Sequence, residues 1–158
     1  MTARAALAAL LLFALPSVGA SQVAPRALGD TALSRTWIAY HEFGQQALAL
    51  LDGREGTFEG DVARDLMITA HEMYTRVEVA VDFASIMAVI ADSASRERAG
   101  RQVRIRLQEL AAWSELEILG IDRAFAVTKV PGTAVLADRL KAEVRVTARL
   151  LRSMALRY

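Results

Sequence analysis

From residue 31 onward, apolar residues recur every three or four positions, the spacing of one face of an α-helix. Four segments carry this pattern. The first runs from about Thr31 to Asp52, with Leu33, Trp37, Tyr40, Gly44, Ala47 and Leu51 on one face. The second carries two apolar stripes. One holds Val62, Leu66, Met73, Val77, Ala80, Ala84 and Met87, the other Ile68, Val79, Phe83, Ile86 and Ile90. A helix apolar on two sides calls for a central position or a partner. The third segment runs from about Ser95 to Ala126 on Val103, Leu107, Leu110, Ile118, Ile121 and Phe125, with Gly120 as a point where it kinks or ends. The fourth starts behind Thr133 and reaches about Met154 on Leu136, Leu140, Val144, Leu151 and Met154.

Glycine and proline divide the segments. Gly53, Gly56 and Gly60 read as a loop, with Asp61 as the N-cap of the second helix. Pro131-Gly132 is a second break, and Asp92-Ser93-Ala94-Ser95 a less clean third one. Arg96 and Arg98 suit the end of a helix better than its start, because cations oppose the N-terminal dipole. The second and third helices therefore join with a weak break. Strand alternation is confined to Val144-Arg145-Val146. The expected fold is all-α, an antiparallel up-and-down four-helix bundle forming one domain over 31–158.

The start of the chain has a different pattern. Arg4 precedes an apolar run from Ala5 to Leu15, then Pro16, then Val18 and Ala20 at the positions where signal peptidase needs small residues. This run is shorter than the roughly 20 residues that span a bilayer. Residues 1–20 are thus expected to be a signal peptide cleaved after Ala20, residues 21–30 a flexible lead-in, and the product periplasmic or secreted, with no integral membrane span.

Composition removes several function classes. Without cysteine there is no disulfide scaffold, thiolate metal site or covalent c-type haem. With Arg4 gone, 18 basic residues balance 18 acidic ones, which disfavours nucleic acid as a partner. The arginines at 96, 98, 101, 104 and 106 have no interleaved aromatics for base stacking. No nucleophile elbow, phosphate loop or dinucleotide glycine pattern occurs, so no catalytic motif is recognisable.

Two features remain as candidate chemistry. The histidines occur as His41-Glu42 and His71-Glu72, each 15 residues from residue 56 in the first turn. In a hairpin they reach the same height, where imidazoles and carboxylates could hold a divalent metal. Against this, the positions four beyond each histidine are Gln45 and Thr75, and those three before are Ile38 and Ile68. Neither the zincin nor the ferritin-type pattern is met. Solvated histidines at the core rim are the simpler account.

The second feature is charge. Residues 61–92 hold six acids and two bases, whereas 93–158 hold seven acids and thirteen bases. On the fourth helix Lys141, Arg145, Arg149 and Arg152 fall within about 80° of arc. This basic stripe is an interaction surface for an acidic partner or anionic lipid, or else a solvated face. Trp37, Tyr40, Phe43, Phe58 and Trp113 are expected in the core, and Met67, Met73 and Met87 as its gap-fillers. The expected function is non-enzymatic protein–protein interaction, by self-association or with an envelope partner. The alternative is a small-ligand or divalent-metal protein using the two His-Glu pairs.

Overall fold

The computed structural model describes residues 31–126 and 131–158; the expected signal peptide and residues 21–30 lie outside them. The fold is all-α: α1 (Thr31–Leu51), α2 (Phe58–Val89), α3 (Ser93–Ala126) and α4 (Pro131–Ala155). The described residues contain no strand. α1 packs on α2 and α4, α3 packs on α4 and α2, and α2 meets α4 across the bundle. No contact joins α1 to α3 among the described residues.

The core forms where the periodic stripes converge. Leu33, Tyr40 and Ala47 of α1 meet Leu66, Met73 and Val77 of α2, Leu107 and Ile121 of α3, and Leu140, Val144 and Leu151 of α4. Three buried hydroxyls turn back on their own helices, each donating to the carbonyl four residues earlier: Thr36 to Ala32, Ser114 to Leu110, Thr147 to Glu143. Each of these three hydroxyls thereby places its proton without leaving its helix. Phe58 and Trp113 depart from expectation, because both are about half exposed.

The helix ends also differ from the sequence reading. α2 begins four residues before the expected site. Thr57, not Asp61, is its N-cap, accepting from the Gly60 N–H at 3.0 Å. Asp61 sits in the first turn, where it pairs with Arg64 and its charge suits the helix dipole. The turn before it uses Gly53 and Gly56, both with positive φ. α4 begins at Pro131, and Thr133 lies buried inside it rather than capping it.

Between α2 and α3 the chain makes a true break at residues 90–92. The Asp92 carboxylate accepts from the Ser95 N–H at 2.6 Å, an N-cap interaction. Arg96, which looked misplaced at a helix start, donates from Nε and Nη2 to the Ile90 carbonyl. Its guanidinium therefore serves the end of the preceding helix, where a cation is favoured.

α3 runs unbroken through Gly120. A Cβ there would meet nothing within 4 Å. Gly120→Ala is therefore expected to stabilise the protein by about 0.5–1 kcal/mol through helix propensity. Chemical denaturation would measure this, and destabilisation would indicate that α3 needs flexibility at this point.

Candidate functional site

The turn at residues 52–57 leads from α1 into α2, and a groove of about 510 Å3 forms between the two helices. His41 and His71 both line it, as do Tyr40, Gly44, Gln45, Leu48, Met67, Ile68 and Tyr74. Gly44 leaves the middle of the α1 wall without a side chain. The His71 ring lies nearly parallel to Tyr74, with centroids 6.4 Å apart. Tyr74 in turn meets Trp37 at 4.8 Å. The groove is thus an apolar channel with an aromatic side and two imidazoles.

The glutamates of the two His-Glu pairs do not share this groove. Glu42 lines a separate cavity between α1 and α4, beside Phe43, Arg139 and Glu143. Glu72 lines a third, between α2 and α3, beside Asp65 and Glu117. Successive helical residues are 100° apart, so a histidine facing the groove turns its neighbouring glutamate toward the next helix. Among the described residues, no group of three or more His, Cys, Asp or Glu side chains is arranged to hold a metal ion.

Glu72 instead belongs to an ion-pair cluster that sequence reading missed. Arg76 Nη2 lies 2.6 Å from Glu117 on α3 and 3.4 Å from Glu72. The Arg76 and Glu117 side chains are only 15% and 22% exposed. The Glu72 carboxyl is pushed above its ordinary value of 4.5 by partial burial, then by the charge of Glu117 and a hydrogen bond to it. Arg76 and His71 pull the other way. No spacing rule reveals this cluster, because Glu117 comes from a different helix 45 residues further on.

This cluster predicts a pH dependence. A raised folded-state pKa means the fold favours protonated Glu72. That stabilisation is complete below the ordinary glutamate value and is lost as pH rises through the raised one. The wild-type Tm is expected to fall across this window, and Glu72→Gln to remove that part of the slope. Superimposable profiles for the two proteins from about pH 4 to pH 7 would refute the assignment.

The basic stripe of α4 divides into two kinds of residue. Lys141 is held by Asp122 and Asp138, both at 2.9 Å, and Arg152 by Glu115 at 2.6 Å. Arg145 and Arg149 are exposed, and neither forms an ion pair with the described residues.

Comparison of the chain with known protein families, curated proteins and solved structures finds no match.

Proposed function

We propose that this chain is an exported, non-enzymatic helical domain that acts by protein–protein interaction, with itself or with an envelope partner. The observation that carries the reading is the second apolar stripe of α2. Its Ile68 and Ile86 are 46% and 52% exposed, and the adjoining Val89 is 80% exposed. Phe83 and Ile90 of the same stripe pack against the core, whereas the part that the other helices leave open is surface a partner would bury. The domain spans 31–158 as an antiparallel up-and-down bundle, a topology favoured by connections of only a few residues. The apolar run and cleavage pattern at 1–20 support export to the periplasm or beyond.

Sedimentation velocity and affinity capture from an envelope extract test this. The expected result is a species heavier than the monomer, or a retained partner, and its loss in Ile86→Asp/Val89→Asp. A monomer at every concentration that retains nothing would overturn it.

A second reading has its own support, the convergence of His41 and His71 on one apolar groove. There the protein would take up a small ligand, with the imidazoles as its polar contacts, or a divalent ion. Native mass spectrometry with and without EDTA, on wild type and His41→Ala/His71→Ala, separates these two. A bound mass that depends on the histidines and survives EDTA indicates an organic ligand, and one removed by EDTA indicates a metal.

A further inference from the structure

We infer that the outer face of α3, with arginines of its own at both ends, seats on an anionic lipid surface. The inference does not depend on the α2 reading, since it uses a different face. Ile105, Ala112, Leu116 and Leu119 fall within about 60° of arc on α3. The core residues of that helix, Val103, Leu107, Ser114 and Ile121, lie on the opposite side. Ile105 is 48% exposed, Leu116 61% and Leu119 52%; Trp113, at the edge of the ridge, is 55% exposed. The ridge is about 21 Å long at the helical rise. Its exposed apolar area is on the order of 400 Å2, within the size range of functional surface patches.

Charge selects the occupant. Arg98 and Arg101 continue the line of the ridge beyond Ile105, and Arg123 continues it beyond Leu119. Bonds from Lys141 to Asp122 and from Arg152 to Glu115 fix which side of α4 adjoins α3. Arg145 and Arg149 lie between those two along the axis of α4, turned about 20° and 60° further round than Arg152, away from its core residues. The acids that flank the ridge are each paired: Glu109 with Arg106 at 2.7 Å, Glu115 with Arg152 at 2.6 Å and Glu97 with Arg101 at 2.5 Å. Residues 93–158 together carry seven acids and thirteen bases.

Apolar side chains ending in tryptophan, flanked by arginines, form the pattern of a helix lying in a membrane interface. A convex ridge needs a matching groove on a protein partner, whereas a fluid headgroup layer moulds to it. No described helix is long and apolar enough to cross a membrane, so the contact is with the surface.

The test is flotation of the purified chain with vesicles of phosphatidylglycerol or of phosphatidylcholine, read together with tryptophan emission. Binding to the anionic vesicles is expected to be at least about tenfold stronger and to weaken with salt. Emission should shift to the blue in wild type and not in Trp113→Phe. Leu116→Glu/Leu119→Glu and Arg98→Glu/Arg123→Glu should each reduce binding about tenfold or more. Both pairs are exposed, and circular dichroism checks that they leave the helices intact. Equal binding to both vesicles, no binding, or binding that neither double variant weakens would overturn the inference. So would the absence of vesicle binding together with capture of an acidic protein, or of a second copy, by this face.

Discussion

Replacing Tyr40 with alanine is expected to destabilise the protein by about 3–5 kcal/mol, the cost of deleting a large buried aromatic ring. Tyr40 is among the largest fully buried side chains. It stands on α1 with its ring beside Phe43, at 6.4 Å between centroids, and its hydroxyl lies 2.7 Å from Thr147 Oγ1 on α4. Thr147 spends its one hydrogen on the Glu143 carbonyl, so Tyr40 is the donor in this pair. That assignment separates packing from hydrogen bonding. Tyr40→Phe keeps the ring and leaves Thr147 its bond to Glu143, so it should cost only about 1 kcal/mol. Thr147→Val removes the acceptor and strands a buried phenol O–H, a loss of about 1–3 kcal/mol. In the Tyr40→Phe/Thr147→Val double variant the stranded group is gone, and the two losses should not add. Urea denaturation of the four proteins checks this. If Tyr40→Phe cost as much as Tyr40→Ala, the hydrogen bond rather than the ring would carry the residue's contribution.

The position of Tyr40 was legible in the sequence, and so was most of the core. Leu33, Tyr40, Ala47, Leu66, Val77, Leu107 and Leu140 repeat with the helical period, and burial follows that period. The equal distance of His41 and His71 from the first turn was also legible, and both reach one groove. What escaped depends on rotation and on partners far along the chain. Which helix a glutamate beside each histidine would face could not be read from one helix alone. Arg96 looked wrongly placed because its acceptor, the Ile90 carbonyl, belongs to the previous helix. α3 carries two apolar stripes, as α2 does. The sequence pattern picked out only the inward one, on Val103, Leu107 and Ile121; the outward Leu116 was not read from it, and Trp113, expected in the core, lies half exposed. The stripe of α4 shows the same limit: four cations share an arc, yet carboxylates of α3 hold two of them and leave Arg145 and Arg149 open.

The start of α2 leads to the second large effect. Gly60 read as part of a loop, yet it lies inside the first turn of the helix. Close approach is the reason for a glycine there. A Cβ on residue 60 would sit 2.0 Å from the Arg54 carbonyl oxygen and 2.9 Å from its carbon. Both are backbone atoms, so no side-chain rotation relieves the overlap. That oxygen is also the centre of the turn, accepting from the Thr57 N–H at 3.1 Å and from the Thr57 hydroxyl at 2.7 Å. The same hydroxyl accepts from the Gly60 N–H, so moving residue 54 away disturbs the cap as well. Gly60→Ala is therefore expected to lose two hydrogen bonds and much of a cap, about 3 kcal/mol in all. Thr57→Ala, which removes the cap without the collision, should cost about 1 kcal/mol. Thermal denaturation of the two variants distinguishes these contributions. If Gly60→Ala were no worse than Thr57→Ala, the loop would have room to retreat from the new methyl group, and the close approach would not explain the glycine.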